Sequence, residues 1–351
     1  MITKAQILEI ARSQELIPTT DEKDYVLGWL LAGIPQHPEL SAWAFKGGTC
    51  LKKCFFETYR FSEDLDYTVP EDVHVSHNAI SAWLGELATW VESEAGIQFP
   101  RDRLNVEEYT NPRGRQSFQA RLSYVGPLNL PRHSRKRVKF DITQDEWLGD
   151  DTELRGVFHP YGDLPLPPPR VRCYSVNEVL AEKTRALYER QGRARDVYDV
   201  VHISREFRDS ITPAKAVDLL KGKFRFKKLS EPSVKEVMAR IEFDVVQRDW
   251  VQQLRHQLPV LPSVEGFWRT SRTQSRGGSS RRRRPDHSRP FLSWEANEPR
   301  RVRGSRPLCL LAQGSPDLVW HPALALAPWS GFDSLLATGC VSNSATTGLV
   351  G

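Results

Sequence analysis

A chain of 351 residues, 39% hydrophobic and 26% charged, is long enough to bury one large core or two smaller ones, and no apolar run reaches the ~20 residues that a membrane span needs. Its formal charge is +5, yet residues 264–351 hold twelve arginines against six acids, leaving 37 bases against 38 acids in residues 1–263. The basic balance belongs to the last quarter, which excludes any argument from bulk charge about partners of the body.

In chain order, Ile7, Leu8, Ala11 and Leu16 recur at helical spacing, and Thr20, followed by Asp21 and Glu22, reads as the N-cap of a second helix through Tyr25, Val26, Trp29 and Leu30. The short apolar run SAWAFK predicts a buried strand ending on Gly47-Gly48, with a helix from Thr49 to about Tyr59 and a strand at LDYTV, residues 65–69. Residues 79–94 fit an amphipathic helix with Ile80, Leu84, Leu87 and Trp90 on one face. Strands follow over 104–128, with NPRG at 111–114 as a hairpin turn, and RVKFDIT gives another at 137–143. The prolines of 164–170 mark a connection, after which 176–191, 194–206, 213–220 and 233–257 read as helices.

These elements predict an α+β fold: a mixed sheet with helices over residues 1–165, a helical domain over 166–262, and a low-complexity Arg/Pro/Ser-rich tail over 263–351. No lysine follows Lys235 although arginine is abundant, so the tail reads as disordered or as the product of a shifted reading frame. An unbroken frame in close relatives would remove the second idea. The five cysteines, Cys50, Cys54, Cys173, Cys309 and Cys340, with no apolar leader ahead of them, suit a reducing cytoplasm. Cys50 and Cys54 have the spacing of some zinc half-sites, but no second Cys/His pair follows at a matching distance. They read as two buried thiols on one helix.

Residues 45–67, FKGGTCLKKCFFETYRFSEDLDY, carry the chemistry. Alternate strand residues share a face, so Asp64 and Asp66 project together while Leu65 turns to the core. Two carboxylates held that close call for a divalent cation, Mg²⁺ or Mn²⁺ by their hard oxygens, and Asp141 on a neighbouring strand would add a third. Such a set suits two-metal nucleotidyl transfer. Gly47 and Gly48 allow a backbone turn to approach phosphate, and Lys46, Lys52, Lys53 and Arg60 are bases near enough to offset triphosphate charge. Arg60, Ser62, Asp64 and Asp66 could equally form a surface ion-pair cluster.

The same run resembles the first motif of the abortive-infection nucleotidyltransferase toxins of AbiEii/AbiGii type, within the polymerase-β-like nucleotidyltransferase superfamily. KFDIT (139–143) resembles that family's third-acid strand, and NEVLAEKTRAL (177–187) and RARDVYDV (193–200) resemble its two helical motifs. The resemblance implies that Gly47, Gly48 and Thr49 bind the triphosphate with Ser62 close by, that Asp64, Asp66 and Asp141 hold metal, and that Lys183 reaches the nucleotide phosphates with Asp196 or Asp199 positioning it. Read from its own helix, Lys183 could also be a solvated partner of Glu178 or Glu182. The resemblance further implies a cytoplasmic toxin of a type IV-like toxin–antitoxin pair, with phage defence as its setting. It would transfer NMP from an NTP, plausibly to the tRNA 3′ end, alongside a co-encoded antitoxin. Two rivals stand beside this: the same chemistry on a small molecule or protein hydroxyl, and a non-catalytic regulator that retains the fold.

Overall fold

The computed structural model describes residues 1–267, apart from residue 58 and residues 111–113. Helix α1 (Lys4–Ser13) opens on a reciprocal cap: the Thr3 hydroxyl accepts from the Gln6 amide, and Gln6 Oε1 accepts from the Thr3 amide. Ile7 and Ala11 face the core, whereas Leu8 is exposed. Helix α2 (Pro18–Gly33) starts ahead of the expected Thr20 cap, because Pro18 lacks an N–H to satisfy and has its φ set for the first turn. It is buried nearly all round, including Asp21, Glu22 and Asp24.

Strand β1 (Ala44–Lys46) runs into α3 (Gly47–Cys50) and then into one π-type turn (Leu51–Phe55), closed by a 2.9 Å bond from the Phe56 amide to the Leu51 carbonyl. The helix expected to reach Tyr59 therefore stops at Phe55. Next come β2 (Asp64–Thr68), α4 (His77–Ala95), β3 (Leu104–Thr110), β4 (Gln116–Ser123) and β5 (Arg137–Thr143). Helix α4 ends where Gly96 takes φ +70°, a left-handed cap that glycine adopts without steric cost. Two strands not anticipated, β6 (Glu153–Gly156) and β7 (Arg170–Cys173), follow. The helices α5 (Val176–Glu189), α6 (Ala194–Glu206), α7 (Pro213–Phe226), α8 (Val234–Ala239) and α9 (Phe243–Leu254) complete the described chain. The single helix expected over 233–257 is thus two, and the proposed turn at 111–113 lies outside the described residues.

All seven strands form one mixed sheet in the order β3-β4-β5-β2-β1-β7-β6, parallel between β5 and β2 and between β1 and β7, antiparallel elsewhere. Register decides the faces. Phe45, Leu65, Tyr67, Phe118, Phe140 and Ile142 are paired row by row and buried. That apolar face is covered from the α4 side, where Trp83 meets Trp43 and Trp43 meets Tyr67 at centroid distances of 6.2 and 5.7 Å. The opposite face carries Lys46, Asp64, Asp66, Lys139, Asp141 and Gln119, again in paired rows. Strand β7 lies past the boundary expected at 165 yet sits inside the sheet beside β1, so sheet and helical half are interleaved. Packing also runs past 262: Val264 and Phe267 are buried, with Phe267 stacked on Tyr198 at 4.9 Å. Residues 268–351, the bulk of the expected tail, lie outside the described residues.

Candidate active site

The parallel register of β2 and β5 sets Asp66 directly beside Asp141 and Asp64 directly beside Lys139, so three carboxylates and a lysine share one face. Lys139 Nζ lies 2.7 Å from Asp141 Oδ2 and 4.0 Å from Asp64 Oδ2, and Gln119 donates to Asp141 Oδ1 at 3.0 Å. Burial, reinforced by the charges of Asp141 and Asp64, pushes the Asp66 carboxyl up to about 7, against the pull of Lys46 and Lys183. Burial likewise raises Asp64. Three carboxylates thus crowd one face of two adjacent strands. The donors are hard carboxylate oxygens on adjacent strands, so the residues present fit a divalent cation such as Mg²⁺ or Mn²⁺.

The two glycines are fixed by contacts. Gly47 holds φ +78°, and a Cβ there would lie 2.1 Å from Asp66 Oδ2. A Cβ on Gly48 would lie 2.9 Å from both Arg60 Nη2 and Ser62 Oγ. Any side chain at either position would push into the acids or into the segment leading to β2. Thr49, also expected at the phosphates, donates its hydroxyl to the Asp64 carbonyl at 2.5 Å, tying the start of α3 to the acidic strand.

The bases sort differently from their nearness in sequence. Lys53 is buried against Asp24 at 2.5 Å, and Lys46 pairs with Glu182 at 3.1 Å, so both already have carboxylate partners. Lys52 donates to the Glu57 carbonyl at 3.2 Å and lies over the Phe61 ring. Arg60 forms a two-pronged pair with Asp199, Nε to Oδ1 and Nη2 to Oδ2, both at 2.7 Å. Lys183 meets the same carboxylate at 2.8 Å, and Tyr59 donates to it as well. Although burial opposes ionisation, Arg60 and Lys183 hold Asp199 far below the usual carboxylate range. Asp199 rather than Asp196 is therefore the group joining Lys183 to the Arg60 segment; Asp196 lies 3.4 Å from Arg190. Glu182 and Glu178, weighed above as partners of Lys183, instead pair with Lys46 and Lys223.

Lys139 was missed as a site residue. It stands in the predicted strand RVKFDIT two before Asp141, a spacing that already puts both on one face.

The family profile described as the nucleotidyl transferase AbiEii toxin of type IV toxin–antitoxin systems matches residues 29–273. Among solved structures, MenT4, a nucleotidyltransferase toxin from Mycobacterium tuberculosis H37Rv, superposes with a TM-score of 0.51 at 21% identity, covering 76% of this chain and 86% of that one. At that identity the likeness speaks for the fold. No curated protein matches the chain.

Proposed function

The chain belongs to the AbiEii family of nucleotidyltransferase toxins, an NTP-dependent enzyme of a type IV toxin–antitoxin system, and from that premise we propose that it transfers NMP to an RNA acceptor, the tRNA 3′ end first among candidates. The observation that carries the site assignment is the in-register placement of Asp66 and Asp141, with Asp64 on the same face, against the Gly47 turn. Divalent cations held by Asp64, Asp66 and Asp141, a pair of Mg²⁺ in this reading, would activate the acceptor hydroxyl and neutralise the departing pyrophosphate.

The chain's own groups do the rest. Gly47 and Gly48 bring the backbone close to the triphosphate, and Ser62 borders that space. Lys183, oriented by Asp199, supplies positive charge from the helical half, and Arg60, fixed on the same carboxylate, holds the edge of the turn. Lys139 offsets the carboxylates and would yield to the cation. Exposed Lys136 and Arg137, leading into β5, offer an approach for RNA phosphates. The reading further includes a cytoplasmic setting, action in phage defence, and neutralisation by the antitoxin that a type IV system implies.

The test is incubation of the purified protein with each α-labelled NTP, Mg²⁺ and total RNA. Label should enter a discrete RNA band and vanish in Asp64→Ala and Asp66→Ala. Label on protein or on a small molecule would move the acceptor elsewhere. A cellular phenotype unchanged by both substitutions would favour a non-catalytic role.

A further inference from the structure

On the sheet face opposite the acids, three cysteines from two separate segments come together. Cys50 ends α3, Cys54 lies in the π-type turn, and Cys173 ends β7. All three are free and buried, with sulfurs within 4.8 Å of one another. Sequence spacing showed only the first two; β7 delivers the third, because Phe45 pairs with Cys173 on one side and with Tyr67 on the other. That row brings a second feature. The Tyr67 hydroxyl, in the same row, is buried without a hydrogen-bond partner among the described residues. A buried hydroxyl with no partner is costly.

We propose that Cys50, Cys54 and Cys173 form a three-thiolate site for one soft d¹⁰ cation, Zn²⁺ or Cu⁺, which clamps the turn behind Gly47-Gly48 onto β7. Sulfurs sharing a zinc ion at ~2.3 Å sit about 3.8 Å apart, so closing the cluster takes shifts of about 1 Å or less. Binding exchanges three S–H protons, released to solvent, for three metal–sulfur bonds, with no change of oxidation state. The sulfurs then become charged acceptors beside the row that holds the Tyr67 hydroxyl. Two bases stand near Cys54, each already paired with a carboxylate: Arg155, whose Nε donates to the Cys54 carbonyl at 2.9 Å and whose Nη1 meets Glu153 at 2.7 Å, and Lys53, next in sequence to Cys54 and held by Asp24. Because the pocket is closed, the ion enters as the chain folds. This site differs in chemistry from the carboxylate site: thiolates select soft cations, carboxylates hard ones.

The full chain would be produced in cells supplied in parallel with zinc, copper or cobalt, purified under reducing conditions and washed with a chelator that strips carboxylate-bound ions. Elemental analysis should find about one retained ion per chain, and the cobalt form should show thiolate-to-cobalt charge-transfer absorption. Which supplement loads the protein distinguishes Zn²⁺ from Cu⁺. Cys173→Ser should lower retention at least tenfold, while the double variant Cys309→Ser/Cys340→Ser retains the ion. Should Cys173→Ser not fold, X-ray absorption on the wild-type protein reads the ligands directly, with sulfur ligation expected. An absent ion, ligation by oxygen or nitrogen alone, or a disulfide among the three cysteines would overturn the proposal.

Discussion

Gly47 shows how little room a single position leaves. With φ at +78° and Asp66 Oδ2 2.1 Å from the place of a Cβ, Gly47→Ala adds backbone strain of ~1–2 kcal/mol and displaces an acid proposed to hold the cation. We expect NMP transfer to fall at least ~100-fold, the order of loss that small misplacements of catalytic groups produce, while circular dichroism stays that of the wild type. Asp199 is the converse case, a carboxylate whose loss leaves two cations, Arg60 and Lys183, without their shared partner. Asp199→Ala should cost about 3–5 kcal/mol in urea unfolding, and Asp196→Ala, which removes only a 3.4 Å contact to half-exposed Arg190, clearly less.

At the scale of elements, α2 carries a buried acid whose charge the fold compensates only in part, through Lys52 and Lys53. Both Asp21 carboxylate oxygens are buried without a partner among the described residues, and burial, followed by the charge of Asp24, pushes this carboxyl up to about 6. A raised carboxyl means that the native state binds the proton more tightly than the unfolded chain. Its contribution is therefore fully favourable at low pH and is lost as pH rises from about 4 through about 6. Asp21→Asn should flatten that slope, raising stability at pH 8 by about 2–3 kcal/mol while changing little near pH 4. Thermal melts of the two proteins across that range are the check, and parallel curves would contradict it. The start of α2 was itself placed three residues late from sequence, with Thr20 expected as the cap where Ile17 holds it, because a Thr-Asp-Glu cap signal competes with Pro18 at the first turn.

At the scale of the whole molecule, the last described residues pack back onto the helices before them. Phe267 stacks on Tyr198 and lies 5.2 Å from Trp250, while Trp250 donates to the Pro262 carbonyl at 2.8 Å. A chain stopped after Phe267 keeps every described element and the whole carboxylate site, so it should still fold and transfer NMP. One stopped after Gln257 uncovers Tyr198 and Trp250 and should lose about 3–5 kcal/mol, the range for deleting a large buried aromatic. Across the interior, Lys46–Glu182 at 3.1 Å and Arg185–Glu146 at 3.4 Å pin α5 to the sheet and to the segment after β5. Being buried, these pairs predict little change in stability between low and moderate salt.

What the amino-acid order determined by itself is whatever depends on neighbours in the chain: the alternation that sends Asp64 and Asp66 to one side of β2, the glycine turn before α3, the helical periods of α4, α5 and α6. The family motifs were legible for the same reason, being short runs of fixed spacing. Tertiary structure alone decided which distant groups meet. It matched Asp199 with Lys183 and Arg60, gave Lys46 and Lys53 the buried carboxylates Glu182 and Asp24, and moved β7 into the sheet to carry a third thiol to Cys50 and Cys54. The physical reason is that local propensity fixes the direction of a side chain, whereas pairing across a sheet and the cost of burying an unmatched charge fix its partner, and both of those are set only when the chain closes on itself.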